Sequence, residues 1–115
     1  MTEAHRSIHQ REIAGELNRR IRGIILQFIS EQERRQAPRH TARSLTGLLR
    51  RLLFDVVLAD VIEELRFLAR RGYVEFESLR DDETRRIPEI GNIALTDKGR
   101  DLIDGTVVDA SVELD

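Results

Sequence analysis

The sequence predicts a mostly α-helical domain with a small β-hairpin, which is an α+β fold class. Apolar residues recur at helical spacing in three successive segments before residue 72. The third segment ends at Gly72 and passes at once into the alternating strand pattern of residues 73–76. A second short strand, residues 93–95, leads directly into a Thr-Asp-Lys-Gly sequence that is typical of a helix start. A length of 115 residues suits one domain of this kind.

The first helix is predicted over residues 11–32, where apolar residues recur every three or four positions. This apolar stripe consists of Ile13, Leu17, Ile21, Ile24, Ile25, Phe28 and Ile29. Gly15 and Gly23 interrupt the helix at a modest cost in stability, as expected where another element packs closely. The stripe is longer than a small core needs, so we expect Ile13 and Leu17 to pair with a second copy in a homodimer. The alternative is that the C-terminal tail covers the stripe within one chain.

The second helix is predicted to begin after Thr41, because Pro38 stops the first helix and threonine is a good N-cap. Its apolar side is expected to carry Leu45, Leu48, Leu49, Leu52 and Leu53. Residues 54–56 are predicted to form a turn, and the third helix to run as far as Arg71. The inward side of the third helix is expected to carry Val57, Val61, Leu65 and Leu68. Gly72 should end this helix in a left-handed conformation.

The hairpin is predicted from an alternation in which Val74 and Phe76 share one face while two glutamates share the other. Such a pattern is typical of a strand with one buried and one exposed face. Residues 78–92 form the predicted loop, and the chain returns as a strand at residues 93–95. The loop is rich in charged residues of both signs, so it is expected to lie at the surface.

The remaining sequence predicts one more helix and a tail. Thr96 should cap a short helix that ends at Gly105. We therefore assign the domain to residues 11–105, after a flexible N-terminus over residues 1–10. The apolar and acidic tail over residues 106–115 is expected to add a strand or to dock on a partner.

Composition limits the classes of protein to which the chain can belong. It contains no cysteine, so neither a disulfide nor a thiolate metal site is available. No apolar run approaches the roughly 20 residues of a membrane span, and no secretory signal is recognisable. The sequence also lacks a nucleophile elbow and a phosphate-binding glycine loop. We expect a soluble cytoplasmic protein that is not an enzyme, does not bind a membrane and needs no cofactor or metal.

Charge is distributed unevenly along the chain, although the net charge is only −2. Residues 1–54 carry 11 arginines and 5 acidic residues, which gives a net charge of +6. Residues 55–115 carry 8 basic and 16 acidic residues, which gives a net charge of −8. One end of the fold is therefore expected to present a basic surface to polyanions, while the other end repels them.

Two motifs flank the predicted hairpin. The first is Leu-x-x-Leu-x-x-x-Gly-Tyr-Val at residues 65–74, and the second is Leu-Thr-x-x-Gly-x-Asp-Leu-x-x-Gly at residues 95–105. Together they resemble winged helix-turn-helix proteins, in particular small winged-helix proteins of Mu-like phages and prophages, over about residues 41–112. The resemblance implies a winged helix-turn-helix fold and a phage or prophage transcriptional regulator that binds double-stranded DNA. In that fold the core is expected to contain Leu45, Leu49, Val61, Leu65, Leu68, Val74, Phe76, Ile93 and Leu95.

Basic residues gather where such a protein would meet DNA. Backbone N–H groups at the start of the second helix favour phosphate oxygens, and several arginines lie nearby. The predicted DNA-binding residues are Arg35, Arg39, His40, Arg43, Arg50, Arg51, Arg66, Arg70, Arg85 and Arg86. One alternative is that the arginines before the second helix form ion pairs with Glu31 and Glu33 in a solvated connection. Another is that Arg85 and Arg86 belong to a flexible, nearly neutral loop.

The third helix departs from the usual pattern of a helix that reads DNA. Its expected outward residues are Asp60, Glu63, Glu64, Phe67 and Arg70, and three of these five are carboxylates. At the centre of a DNA groove they would face the phosphate potential unless one accepts from a cytosine amino group. The alternative function is therefore a protein-interaction module of the same fold, which uses its acidic C-terminal half to bind a host or phage protein.

Overall fold

Over residues 8–79 and 89–114, which the computed structural model describes, the chain forms four helices and one antiparallel hairpin. The helices are α1 (Ile8–Arg34), α2 (Ala42–Arg51), α3 (Leu58–Arg70) and α4 (Asp97–Asp104), and the strands are β1 (Val74–Leu79) and β2 (Glu89–Leu95). The predicted fold class, mostly helical with a small hairpin, is confirmed. This layout is compatible with a winged helix. Within the same ranges, no helix has the length and apolar character that crossing a membrane requires.

The second half of α1 packs into the core along one face. Ile21, Ile25 and Ile29 are buried at the spacing that the sequence predicts. The helix begins three residues before its predicted start at residue 11. Leu17 remains 42% exposed, so the apolar stripe continues beyond the part of α1 that the core covers. The side chain of Ile13 lies outside the described part of the structure.

A buried glutamine closes the connection between α1 and α2. The Gln32 Nε2 donates to the Ala37 carbonyl at 2.6 Å, and the Gln32 Oε1 accepts from the His40 N–H at 3.3 Å. Gln36 has a φ of 55°, and its N–H donates to the Glu33 carbonyl at 3.1 Å. The Ala37 N–H donates to the Gln32 carbonyl at 3.1 Å. These backbone bonds form a Schellman closure in which glutamine occupies the position that glycine usually takes.

α2 begins at a reciprocal cap between two hydroxyl side chains. The Thr41 Oγ1 accepts from the Ser44 N–H at 3.0 Å, and the Ser44 Oγ accepts from the Thr41 N–H at 2.9 Å. These bonds satisfy backbone N–H groups that the helix itself leaves without partners. Leu45 and Leu49 are completely buried on the inner side of α2. The predicted start of the second helix is therefore confirmed.

α2 ends before Leu52 and Leu53, so their predicted place in the second helix was wrong. The Leu53 N–H donates to the Arg50 carbonyl at 3.0 Å, and the next N–H, of Phe54, donates to the Leu49 carbonyl at 3.1 Å. This second Schellman closure places Leu53 in the left-handed region, at a φ of 69°. The reversal of the chain turns the Leu53 side chain into solvent, where it is 92% exposed.

α3 begins one residue after Val57, which is its N-cap. The prediction that Val57 points inward was wrong, because this residue precedes the first helical turn and is 56% exposed. The Asp60 Oδ2 accepts from the Val57 N–H at 2.9 Å and so supports the start of the helix. Val61, Leu65 and Leu68 are completely buried, as predicted.

Two glycines end helices as the sequence predicts. Gly72 has a φ of 83° after α3, and Gly105 has a φ of 84° after α4. The Thr96 Oγ1 accepts from the Gly99 N–H at 3.0 Å, which confirms the predicted cap of α4. A Cβ atom at Gly99 would lie 2.2 Å from the Tyr73 carbonyl oxygen, so α4 packs directly against the chain that enters the hairpin.

The hairpin is longer than predicted. Pairing with β1 begins at Glu89 rather than at residue 93, so the end of the predicted loop was wrong. Ile90, which the prediction placed in that loop, is buried. The register shifts once along the hairpin, which leaves an extra residue in β2 near Asn92, whose φ is 56°. The predicted core is confirmed apart from Phe76, which is only partly buried.

The connection before α2 adds one paired residue to the hairpin. The Ile93 N–H donates to the His40 carbonyl at 3.3 Å in an antiparallel bridge. This bridge joins the N-terminal end of α2 to β2. It was not predicted, because a single paired residue leaves no alternating pattern in the sequence.

The tail returns along α1. The Glu113 N–H donates to the Arg19 carbonyl at 3.1 Å, and Val112 is buried. A Cβ atom at Gly23 would lie 1.8 Å from the Glu113 carbonyl oxygen, so only glycine admits the tail at this position. The close packing expected at Gly23 is thereby confirmed. The tail covers α1 at Gly23 but leaves Leu17 partly exposed.

A tyrosine and an aspartate anchor the start of the tail. The Tyr73 hydroxyl donates to the Asp109 Oδ2 at 2.5 Å, and the Ser111 N–H donates to the Asp109 Oδ1 at 2.8 Å. Burial and the bond to Asp109 raise the pKa of Tyr73 to about 12. Burial also acts to raise the pKa of Asp109, but the hydrogen bonds from Ser111 and Tyr73 outweigh it and lower that pKa to about 2.

Candidate nucleic-acid interface

The exposed side of α2 carries three arginines and no acidic residue. It consists of Arg43, Ser44, Gly47, Arg50 and Arg51, and we call it the α2 open face. Helix residues three, four and seven positions apart lie on one side, so these residues form one continuous strip. Arg43 and Arg50 stand about 10 Å apart along the axis, given the rise of about 1.5 Å per residue.

Arg39 and His40 lie at the N-terminal end of the α2 open face. The Arg39 Nη1 donates to the Asn92 Oδ1 at 3.2 Å, which holds the guanidinium beside β2. The His40 Nδ1 lies 3.2 Å from the Ser44 Oγ. Burial lowers the pKa of His40, and a hydrogen bond with the Phe28 carbonyl only partly opposes this. The imidazole is therefore neutral at pH 7 and offers a hydrogen bond rather than a charge.

Arg50, Arg51 and Arg70 form no ion pair with any residue in the described part of the chain. Two other predicted site arginines have exposed, weak partners. The Arg43 Nε lies 3.6 Å from a Glu89 carboxylate oxygen, and the Arg66 Nη1 lies 3.7 Å from a Glu63 carboxylate oxygen. Exposed pairs of this kind contribute about 0–1 kcal/mol, so a phosphate can replace the carboxylate at little cost. Arg85 and Arg86 lie outside the described residues.

Arg35 differs from the other predicted site residues because it shares one carboxylate with a neighbouring arginine. Its Nε lies 2.8 Å from a Glu31 carboxylate oxygen, and Arg34 contacts the same carboxylate. The alternative of a solvated, internally paired connection therefore describes Arg35 well. Glu33 has a different role, because its Oε1 accepts from the Leu95 N–H at 3.0 Å and so supports β2.

Two residues of α3 that were predicted to face outward contact α1 instead. The Arg22 Nε lies 2.7 Å from the Glu64 Oε2, and both side chains are largely buried. The Arg22 guanidinium also lies 3.6 Å from the centre of the Phe67 ring. The predicted outward positions of Glu64 and Phe67 were wrong, because the long α1 covers that flank of α3. Burial raises the pKa of Glu64, and the hydrogen bond from Arg22 opposes this rise.

Glu64 is therefore less available to repel DNA than the sequence suggests, whereas Asp60 and Glu63 stay exposed. Asp60 supports the start of α3, Glu64 pairs with Arg22, and Glu63 lies beside Arg66. The C-terminal end of α3 carries Arg70 on its exposed side. The helix thus has an acidic first half and a basic second half.

Of the predicted site residues, Arg39, His40, Arg43, Arg50 and Arg51 lie on or just before α2, which packs against both α3 and β2. Arg39 and Arg43 lie next to β2, through Asn92 and Glu89 respectively. Sequence reasoning missed Asn92, because its left-handed backbone and its bond to Arg39 depend on the bulge in β2. It also missed Gly47, where an added Cβ atom would meet nothing within 4 Å.

Histidine and acidic side chains do not form a group suited to a metal ion within residues 8–79 and 89–114. No protein family, curated protein or solved structure matches this chain.

Proposed function

We propose that the protein binds double-stranded DNA through the α2 open face and acts as a winged-helix transcriptional regulator of a phage or prophage. The observation that carries this proposal is the α2 open face itself, a strip with three arginines and no carboxylate of its own. Arg50 and Arg51 have no carboxylate partner among the described residues, so their charges remain available for phosphate oxygens.

The α2 open face suits contact with a sugar-phosphate backbone. Arg43 and Arg50 project from the same side two turns apart, and Gly47 lies between them with open space in front of it. A glycine at this position costs the helix about 1 kcal/mol relative to alanine and allows a backbone to approach closely. Arg39 and the neutral His40 extend the surface past the N-terminus of α2.

The second half of α3 and the loop of the hairpin extend the same proposal. Arg66 and Arg70 would contact phosphates beside the α2 open face, and the sequence adds Arg85 and Arg86 from the loop. Arg35 is left out of the proposed surface, because it and Arg34 share the Glu31 carboxylate and the three residues together carry a net charge of only +1. Assignment to phages rests on the two sequence motifs.

Fluorescence anisotropy with a labelled random duplex across a salt series tests the proposal. Each phosphate contact contributes about 0.9 to the slope of log K against log salt. The variant Arg50→Gln plus Arg51→Gln should therefore lower the slope by about 2. The matched control is Arg34→Gln plus Arg35→Gln, which removes the same charge at the end of α1 and should leave the slope nearly unchanged.

Absence of duplex binding even at about 50 mM salt would overturn the DNA proposal and favour the protein-interaction alternative. That alternative draws on the net charge of −8 in residues 55–115. Homodimerisation through Ile13 and Leu17 stays a prediction, which light scattering on the purified protein checks. Its supporting observation is the partial exposure of Leu17.

A further inference from the structure

A groove of about 350 Å³ lies between α1 and the beginning of α3, and no residue of the α2 open face lines it. Ile21, Val56 and Val61 are buried along it and give it an apolar base. Leu17 adds a partly exposed apolar side chain at the α1 side. The groove thus extends the apolar stripe of α1 beyond the part that the core and the tail cover.

Carboxylates supply all the charge along this groove. Asp55, Asp60 and Glu63 are exposed, and no arginine or lysine belongs to its lining. Glu64 also lines the groove, but Arg22 compensates its charge. An occupant must therefore bring apolar side chains for the base and positive charge for the three exposed carboxylates.

Leu53 supplies an independent reason to expect a partner at this place. It lies two residues before Asp55, is 92% exposed and has a φ of 69°. For a residue other than glycine, the left-handed conformation costs roughly 1–2 kcal/mol. Neither burial of the side chain nor the backbone conformation favours leucine at this position. A partner that covers Leu53 would bury this side chain.

We propose that the groove binds an amphipathic basic helix of another protein. Aliphatic side chains of that helix would enter the base beside Leu17 and Val56, while its arginines or lysines would face Asp55 and Glu63. Leu53 would pack against its end. A second copy of this chain, which the homodimer prediction places at Leu17, fits the groove less well, because a two-fold contact there would bring identical sets of carboxylates together. The groove lining shares no residue with the proposed DNA interface, although Glu63 lies beside Arg66.

The test uses a fluorescein-labelled peptide with leucines every three or four positions and flanking arginines. Binding to the whole chain is measured by anisotropy. We expect Asp55→Lys plus Glu63→Lys to weaken binding at least about tenfold. The control, Asp101→Lys plus Asp104→Lys, makes the same charge change on exposed residues of α4 and should weaken binding by less than about threefold.

The variant Leu53→Gly distinguishes a loss of peptide binding from a loss of folding. It should raise stability, because glycine suits the left-handed position, and yet weaken peptide binding about threefold or more. Val108→Gly is the matched control, since Val108 is 90% exposed in the tail, and should leave peptide binding unchanged. Circular dichroism verifies that each variant is folded.

Three results would overturn the proposal. They are no binding at about 100 μM peptide, equal weakening by the groove and control charge changes, and self-association that Asp55→Lys plus Glu63→Lys abolishes. The last result would assign the groove to a second copy of the chain. Duplex DNA binding, measured in parallel, should survive both groove variants, so failure of this inference and failure of the DNA proposal give different patterns.

Discussion

Replacement of Gly23 by alanine should dislodge the tail from α1. The added Cβ atom would lie 1.8 Å from the Glu113 carbonyl oxygen and 2.8 Å from its carbon. These are backbone atoms, so a change of rotamer cannot relieve the contact. The tail must therefore move, which breaks the 3.1 Å bond from the Glu113 N–H to the Arg19 carbonyl and exposes Val112.

The size of the effect follows from opposing contributions. Loss of one hydrogen bond costs about 1 kcal/mol, and exposure of a buried valine costs about 1.5–3 kcal/mol. The released tail regains conformational entropy, which offsets the loss by about 1–2 kcal/mol for each residue released. Alanine in place of glycine also favours a helix by about 1 kcal/mol. Gly47→Ala on α2 gains the same helix propensity without any clash, since nothing lies within 4 Å of its added Cβ atom.

The difference in unfolding free energy between the two variants measures the cost of the clash, because both gain the same helix propensity. Urea unfolding followed by circular dichroism should find Gly23→Ala less stable than Gly47→Ala by up to about 3 kcal/mol. Hydrogen exchange should also show faster exchange of the Glu113 amide in Gly23→Ala alone. Equal stability of the two variants, with the Glu113 amide still protected, would refute this account of how the tail is held.

Three other predictions concern stability. Leu65→Ala should cost about 2–5 kcal/mol in urea unfolding, because the side chain is completely buried, and an unchanged unfolding curve would contradict its place in the core. Hydrogen bonds from Ser111 and Tyr73, which outweigh burial, lower the pKa of Asp109 to about 2, so its stabilising contribution should be present above about pH 4 and disappear as the pH falls towards 2. Asp109→Asn should flatten this acid dependence of the melting temperature, and an identical pH profile would count against the bond. Leu53→Gly should raise stability by about 1 kcal/mol, and a lower melting temperature would argue against strain at this position.

Helix ends divide into those that sequence predicts and those that it does not. Gly72 and Gly105 end α3 and α4 with a positive φ, and glycine is the residue that signals such an end. α1 and α2 close by the same hydrogen bonds with Gln36 and Leu53 in the left-handed position. Pro38 limits α1 in the sequence, but no residue preference marks the end of α2, so Leu53 looked like a continuation of the apolar side of α2.

The side chains on the core side of α3 were predicted to face the right way, but those on the side next to α1 were not. Leu65 and Leu68 follow the period of the helix, and burial on that side follows from the pattern alone. Glu64 and Phe67 lie on a flank whose surroundings depend on the course of α1. Glu64 is buried because it pairs with Arg22, which lies 42 positions earlier in the sequence. No local pattern around Glu64 indicates that partner.

The candidate interface also combines features that follow from the sequence with contacts that only the fold creates. Exposure of Arg50 and Arg51 follows from the amphipathic pattern of α2. Compensation of Arg35 by Glu31, four positions earlier, was one of the alternatives that the sequence allowed. The bond between Arg39 and Asn92 joins residues that only the hairpin brings together.

The bridge between His40 and Ile93 has a mechanical consequence. Because it fastens the beginning of α2 to β2, these two parts of the surface cannot slide independently. The backbones of Arg39 and Arg43 are thereby tied to the same strand, so a ligand that contacts both arginines needs to order only their side chains on binding.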